Sequence, residues 1–218
     1  NDERYINSDV IVSPSKLFFK NISHEFYKKT KFLFYFFDEN IIDNYNPENN
    51  FNTRKNKIIL SGKISSRYSS RKQMYKNMNN HKELFDIIIH PDYYNMTHEI
   101  YHINYYDELS KYKGALFGLA NFPINFLLAK VIEILGSGCI GFFEYSEEYD
   151  IHLGLKEWEH YVPIYKVNNK LIFNNENYKE IINSEKGKEI ALNGYNYIKK
   201  NYNSITFTNK VIKIIKEL

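Results

Sequence analysis

An α/β domain built on a doubly wound parallel sheet is the fold class that this sequence predicts, and two observations predict it. Short apolar segments alternate along the chain with segments whose apolar residues recur at helical spacing. Several of the short segments are continuously apolar, which is typical of strands buried on both faces of a parallel sheet. Strands and helices that alternate in this way form a sheet with helices on both faces.

The predicted strands are short apolar runs with polar segments between them. In chain order they are DVIVS (9–13), FLFYFF (32–37), KIILSG (57–62), LFDIIIH (84–90), GALFGL (114–119), CIGFF (139–143) and HYVPI (160–164). The first two runs are assigned to a β-α-β piece, and the other five to the main sheet.

Helical patterns lie between and after these strands. They cover roughly 15–29, 68–80, 98–110, 123–136, 175–183, 186–201 and 204–217. In the helix over 123–136, Pro123 suits the first turn. The buried stripe of that helix is formed by Leu127, Leu128, Val131, Ile134 and Leu135. The sequence Gly136-Ser137-Gly138 then predicts an abrupt end and a tight return into the next strand.

The segment 38–56 divides the chain. It is polar and contains Pro47, so we interpret it as a linker or long loop. The predicted domains are a lead-in with linker over 1–56, left from a preceding domain, and a Rossmann-like domain over 57–218 with extra C-terminal helices. The last helix packs either onto the lead-in or onto a domain outside this chain.

Composition limits the function classes. With 218 residues, 43% of them hydrophobic, the chain can bury a core without disulfides or metals. Cys139 is the one cysteine, which predicts a small buried apolar side chain and a reducing compartment. The sequence shows no signal-peptide pattern and no apolar run of about 18 residues, so we expect a cytoplasmic protein without a membrane segment in this chain. The net charge of +3 is scattered, which argues against a nucleic-acid partner.

Ligands of open α/β sheets bind beyond the carboxyl ends of the strands, so the residues that follow each strand are the candidates. The segment after KIIL predicts a phosphate site, because it combines a glycine turn with cations and hydroxyls at the start of a helix. Its candidate residues are Gly62, Lys63, Ser65, Arg67 and Arg71. A solvated basic turn is the alternative. His90 follows the next strand, where it could donate to a phosphate or sugar oxygen or cap the neighbouring loop.

The helix over 123–136 supplies a second pair of candidates, since its N-terminal end is expected to face the same crevice. Lys130 and Glu133 are three residues apart and lie on one face of a helix. The functional interpretation places Lys130 on a diphosphate and Glu133 on ribose hydroxyls. The alternative is an exposed ion pair that contributes only a few tenths of a kcal/mol, roughly 0.2–0.5.

A zinc motif also occurs in the sequence. His98-Glu99-Ile100-Tyr101-His102 matches H-E-x-x-H, in which two histidines on one helix face bind zinc and the glutamate acts as general base. Tyr105 and Glu108 stand where the extended motif needs glycine and the third histidine. We therefore predict no metal, and keep a zinc site at His98 and His102 only as an alternative.

Two motifs carry a resemblance to a known family. The pattern K-x-x-E-x-x-x-S-G at Lys130, Glu133, Ser137 and Gly138, followed by an apolar strand, resembles the nucleotide-sugar-binding half of GT-B-fold glycosyltransferases. The run LKEWEHYVPI at 155–164 is similar to an element of the capsule-xylosyltransferase and KDEL-containing O-glucosyltransferase group. The resemblance covers about 57–165.

The resemblance implies a donor site for a nucleotide-diphosphate sugar, such as a UDP-sugar. Gly62, Lys63, Ser65 and Arg71 match the first turn of that family, and Lys130 stands at its phosphate-binding arginine. Glu133 matches a ribose-binding glutamate, while His160 and Tyr161 match the loop after the donor site. Such enzymes require no cofactor beyond the donor. Their catalytic base usually belongs to the other Rossmann domain, so no catalytic residue is assigned here.

The leading hypothesis is therefore a glycosyltransferase domain that transfers a hexose or pentose to an acceptor hydroxyl on a glycan or protein. A non-catalytic domain of the same fold is the alternative, because Asn125 replaces the first carboxylate of an E-x7-E motif and Lys130 replaces an arginine. The sequence leaves open the sugar, the acceptor, the stereochemistry, the oligomeric state and whether this chain acts alone.

Overall fold

A computed structural model describes residues 8–14, 23–62, 64–65, 68–88, 103–121 and 125–217. Its strands are β1 (Ile11–Ser13), β2 (Thr30–Phe32), β3 (Lys55–Ser61), β4 (Phe85–Ile88), β5 (Tyr112–Phe117), β6 (Ala120–Asn121), β7 (Asn125–Phe126), β8 (Ile140–Glu144), β9 (Val162–Ile164), β10 (Lys166–Val167) and β11 (Lys170–Leu171). Its α-helices are α1 (His24–Lys29), α2 (Glu39–Ile42), α3 (Pro47–Asn50), α4 (Ser69–Asn79), α5 (Ile103–Ser110), α6 (Lys130–Gly136), α7 (Glu148–Leu153), α8 (Asn175–Ile182), α9 (Glu185–Asn201) and α10 (Ser204–Lys216).

A five-stranded sheet in the order β4-β3-β5-β8-β9 forms the centre of the described part of the chain. Its pairings are all parallel, and Leu60 of β3 lies opposite Ile87 on one side and Leu116 on the other. The strand order reverses between β3 and β5, which is the place where open α/β sheets bind ligands. The predicted fold class is confirmed.

Both faces of the sheet are covered, which explains the continuous apolar strands. Successive residues of β3 enter different core clusters: Ile59 packs with the cluster that contains residues of α5 and α6, and Ile58 with the one that contains residues of α4 and α8. Both side chains are fully buried. Because neighbouring strand residues point to opposite faces, a strand buried on both faces needs apolar residues at every position.

The N-terminal lead-in contains a small parallel pair, β1 and β2, with α1 in the connection between them. The last helix, α10, contacts this region: the Phe207 ring lies 5.0 Å from the ring of Phe36, and Lys31 Nζ lies 2.7 Å from Glu217 Oε2. The last helix therefore packs onto the lead-in, one of the two predicted possibilities. Among the described residues, no helix is both long and apolar enough to cross a bilayer.

Three predictions of local structure are wrong. The segment 38–56 is not a loop, since it forms α2, α3 and two 3-10 turns and buries Ile42, Tyr45 and Phe51 in the core. The strand predicted over 32–37 ends at Phe32, and the chain continues without regular structure. The helix predicted over 123–136 begins only at Lys130, because residues 125–126 pair with β6 as strand β7.

The abrupt end of α6 has a structural cause. Gly138 has a φ of +68°, and a Cβ at this position would lie 2.3 Å from the carbonyl oxygen of Tyr45. The buried Arg54 donates to the carbonyl oxygens of Ser137 at 3.0 Å and Gly138 at 2.7 Å. Arginine thus satisfies carbonyls at the helix end that have no partner within the helix.

Candidate functional site

Gly62 ends β3 at the point where the strand order reverses. Its φ of +108° is a conformation that side chains rarely adopt. A Cβ there would lie 3.0 Å from Arg71 Nη1 and 3.3 Å from Lys130 Cε. The absence of a side chain at Gly62 therefore lets two cationic side chains, from the helices α4 and α6, approach the end of β3.

Lys130 is the first residue of α6, and its side chain is only 17% exposed. Its Nζ donates to the Tyr105 hydroxyl at 2.5 Å and lies 3.4 Å from Glu133 Oε2. Burial lowers the pKa of Lys130 and Arg71 lowers it further, but Tyr105 and Glu133 outweigh both and hold the pKa above its ordinary value. The ammonium group is therefore charged at neutral pH.

Tyr105 of α5 links Lys130 to the end of β3. Its hydroxyl lies 2.7 Å from Ser61 Oγ, and burial raises its pKa. A phenol that stays protonated beside a lysine accepts one hydrogen bond and donates another, so it fixes the position of the ammonium group without neutralising it.

Arg71 lies in the first turn of α4 and is 3% exposed. Its guanidinium carbon lies 4.3 Å above the centre of the Tyr68 ring, a cation–π contact. The same turn packs against Gly118 at the end of β5, where a Cβ would lie 3.2 Å from the Arg71 backbone nitrogen. The first turn of α4 is thereby held at the carboxyl edge of the sheet.

Ser70 is the neighbour of Arg71 and is fully buried. Within the described part of the chain, its hydroxyl oxygen has no hydrogen-bond partner. The Ser70 side chain lies against Gly118 at the end of β5. Buried polar groups are paired in the great majority of cases, so this hydroxyl is a vacant donor at the carboxyl edge of the sheet.

The structure brings together four of the predicted site residues: Gly62, Arg71, Lys130 and Glu133. Ser65 is half-buried just before α4, where its carbonyl oxygen accepts from the Tyr68 backbone N–H. The predicted residues Lys63, Arg67 and His90 lie outside the described residues, as do His98 and His102 of the zinc motif. Within the described ranges, no three histidine, cysteine, aspartate or glutamate residues are grouped as metal ligands would be.

Three predicted residues lie apart from this group. Ser137 caps the other end of α6, where its hydroxyl donates to the Glu133 carbonyl oxygen. His160 is buried, its Nδ1 accepts from the Lys156 backbone N–H at 2.9 Å, and its ring packs on Tyr197. Tyr161 stacks on Phe143. Each therefore has a structural contact that explains its position.

Tyr105, Ser61 and Ser70 belong to the site but were not among the sequence candidates. Tyr105 lies in a predicted helix, one of the chain's 20 tyrosines, and no motif distinguishes it from the others. Ser61 is the last residue but one of the predicted strand KIILSG and directly precedes the candidate Gly62, so proximity to the strand end was the signal that could have found it.

The chain matches no protein-family model and no curated protein at the level of sequence. Solved structures do match it. HepE from Anabaena, in complex with UDP, superimposes with a TM-score of 0.63 at 8% identity, over 98% of this chain and 65% of that protein. Sucrose-phosphate synthase from Thermosynechococcus elongatus matches with a TM-score of 0.61 at 10% identity, over 98% of this chain and 59% of that protein. A glycosyltransferase from Rickettsia africae matches with a TM-score of 0.61 at 16% identity, over 99% of this chain and 66% of that protein.

The chain therefore shares with these three structures an α/β fold with a central parallel sheet. The chain spans about two thirds or less of the length of these three proteins. The group around Gly62 lies at the carboxyl end of β3, where the strand order reverses and where open α/β sheets generally bind ligands. The narrower group suggested by LKEWEHYVPI is not among these three structures.

Proposed function

We propose that the group around Gly62 binds the diphosphate of a UDP-sugar and that the chain serves a glycosyltransferase, which moves the sugar to an acceptor hydroxyl on a glycan or protein. The observation that carries the proposal is the meeting of two cations, the buried Arg71 and the half-buried Lys130, at the glycine that follows β3. The structural match to HepE, which was solved in complex with UDP, supports the choice of a uridine nucleotide.

Electrostatics favours an anionic ligand at this place. Like charges repel more strongly in a partly buried site than in water, and Glu133 is the carboxylate beside this pair in the described structure. A diphosphate would bring negative charge to this pair and could accept hydrogen bonds from both cations. The unpaired Ser70 hydroxyl and the first backbone N–H groups of α4 would supply further donors.

The same groups suit a leaving diphosphate. During transfer, the acceptor oxygen forms a bond to the anomeric carbon while the bond from that carbon to the diphosphate oxygen breaks. The electron pair leaves with the nucleoside diphosphate, and the acceptor proton goes to a base that we do not assign. Cations fixed before the reaction stabilise the charge that develops on the leaving oxygen. In this proposal Glu133 accepts from the ribose hydroxyls.

Titration calorimetry with UDP tests the proposal. We expect Arg71→Ala and Lys130→Ala each to weaken UDP binding about 10- to 100-fold, because each removes a charge-assisted hydrogen bond. Lys210→Ala is a matched control, since Lys210 also lies over a tyrosine ring, 4.8 Å from the centre of Tyr202, on another part of the molecule.

Unchanged UDP affinity in both site variants, or an equal loss in Lys210→Ala, would contradict the proposal. Consumption of a UDP-sugar in the presence of acceptor separates a transferase from a non-catalytic domain: binding that depends on Arg71 and Lys130, without any turnover of the donor, would favour the non-catalytic domain.

A further inference from the structure

A hollow lies at the carboxyl end of β8, beside the loop that leads into β9. It is a cavity of about 500 Å³, which is within the range of small-molecule sites. Its walls include Tyr145, Glu147, Asp150, Lys156, Glu157 and Tyr161. It shares no residue with the group around Gly62, and β8 lies two strands from β3, roughly 10 Å by the usual strand spacing.

Aromatic rings form part of this cavity in fixed positions. Tyr145 is 38% exposed, and its ring lies 5.3 Å from the ring of Tyr165. The Tyr165 hydroxyl in turn donates to Glu157. Tyr161 is buried and stacked on Phe143, with ring centres 5.4 Å apart. The Tyr145 ring is thus a partly exposed part of the cavity wall that packs against the Tyr165 ring.

Carboxylates converge on the same space. Glu147, Asp150 and Glu157 line the cavity together with Tyr145, and burial and these three carboxylates raise the pKa of Tyr145. The cation in the wall, Lys156, lies 3.5 Å from Glu159, which offsets its charge. The cavity is therefore acidic, whereas the group around Gly62 is cationic, and it would repel a phosphate.

The loop that forms one wall has a strained backbone. Trp158 has a φ of +60°, a rare conformation for a bulky residue that tends to occur at functional sites. Its backbone N–H donates to the Tyr161 carbonyl oxygen at 2.7 Å. The strained turn therefore holds Glu157 and Tyr161 side by side, paired as a β-bridge.

We propose that this cavity binds a neutral sugar unit. Its C–H face would stack on Tyr145, and its hydroxyls would donate to Asp150, Glu147 and Glu157. A neutral sugar fits both features, because it has an apolar face and many hydroxyl donors but no anionic group. The inference rests on the proposed function only in identifying this sugar as the acceptor, since both sites open at the same edge of the sheet.

Saturation-transfer NMR with methyl β-D-glucoside, methyl β-D-galactoside and methyl β-D-xyloside tests the inference. We expect at least one glycoside to bind, and Tyr145→Ala to weaken it about three- to tenfold through loss of the ring contact. Tyr35→Ala is the matched control, because Tyr35 is similarly exposed (45%) and packs on the ring of Phe34, away from the cavity. UDP affinity should be the same in both variants.

Absence of signal from all three glycosides, or an equal loss in Tyr35→Ala, would overturn the inference. Glucose 6-phosphate that binds as tightly as the glucoside would also overturn it, because the acidic wall should repel the phosphate. Glycoside binding that depends on Tyr145, without UDP binding, would support this inference and contradict the proposed function. UDP binding that depends on Arg71, without any glycoside signal, would support the proposed function and contradict this inference.

Discussion

Two arginines of this chain are almost equally buried, and they differ in what surrounds them. Arg54 is 6% exposed and Arg71 is 3% exposed. The guanidinium of Arg54 donates to the carbonyl oxygens of Tyr45, Ser137 and Gly138 and to the side-chain oxygen of Asn50. Arg71 instead lies on the Tyr68 ring and next to another cation, Lys130.

The difference separates a structural role from a binding role. Neutral oxygens of the chain itself surround Arg54, so its burial is explained by the fold, and it fixes the C-terminal end of α6. The opposite end of the same helix begins at Lys130, where two cations lie together and Glu133 contacts one of them. An arginine therefore indicates a ligand site through its neighbours and not through its burial.

Removal of Arg54 should have the largest effect. We expect Arg54→Met to lower the free energy of unfolding by about 3 kcal/mol, because it leaves buried carbonyl oxygens unpaired. UDP affinity of the folded variant should stay within about twofold of the wild type, since Arg54 lies at the far end of α6. Urea denaturation and calorimetry provide the two measurements.

Arg71→Met is the control for that comparison. It should leave the free energy of unfolding within about 1 kcal/mol, because methionine fills similar space and relieves the repulsion of Lys130. A large loss of stability in Arg71→Met together with unchanged UDP affinity would show that both arginines are structural.

A smaller effect should follow from the substitution Arg71→Lys. It keeps the charge but loses the planar fork that contacts two phosphate oxygens, so we expect UDP affinity to fall about tenfold. Arg54→Lys, tested in parallel, should affect stability but not affinity. Full UDP affinity in Arg71→Lys would mean that Arg71 contributes only its charge.

The smallest effect should come from pH. The pKa of Lys130 lies above its ordinary value, so its charge persists below that raised pKa and is lost only as the pH rises through it. We therefore expect UDP affinity to change less than about twofold between pH 7 and 9. A steep fall over this interval in the wild type would contradict the assignment of Lys130 as a permanent cation.

Glu133→Gln sharpens the pH comparison. The substitution removes one of the groups that raise the pKa of Lys130. We expect the fall in UDP affinity to begin at a lower pH in this variant than in the wild type. Calorimetry across the same pH interval measures the difference.

Some elements could be predicted because their signal is local. The run KIILSG predicted β3, since continuous apolar residues require burial on both faces, and the C-terminal helices carry helical periodicity over their whole length. Other elements depend on distant residues. The segment 38–56 is polar, yet Arg54 anchors it to the end of α6 and its few apolar side chains enter the core. Local polarity could not reveal this.

The candidate site divides in the same way. Gly62, Arg71, Lys130 and Glu133 could be proposed because each follows or faces the end of a predicted strand. Tyr105 could not be proposed, because it lies on a helix that packs beside α6. Its role depends on the hydrogen bonds of its hydroxyl with Ser61 and Lys130, which only the folded chain brings together. The acidic cavity beside Tyr145 likewise depends on a turn at Trp158 that has no simple sequence signal.

By itself the sequence determined the parallel α/β sheet and the residues at its carboxyl edge. Strand burial produces a continuous apolar run, and the end of a strand is visible as the polar residues that follow it directly. Only the tertiary structure decided which charges meet. Arg54 and Arg71 look alike in sequence, but packing surrounds one with carbonyl oxygens and places the other against a lysine. Electrostatic energy depends on distance in space, and the chain brings together residues that lie far apart in sequence.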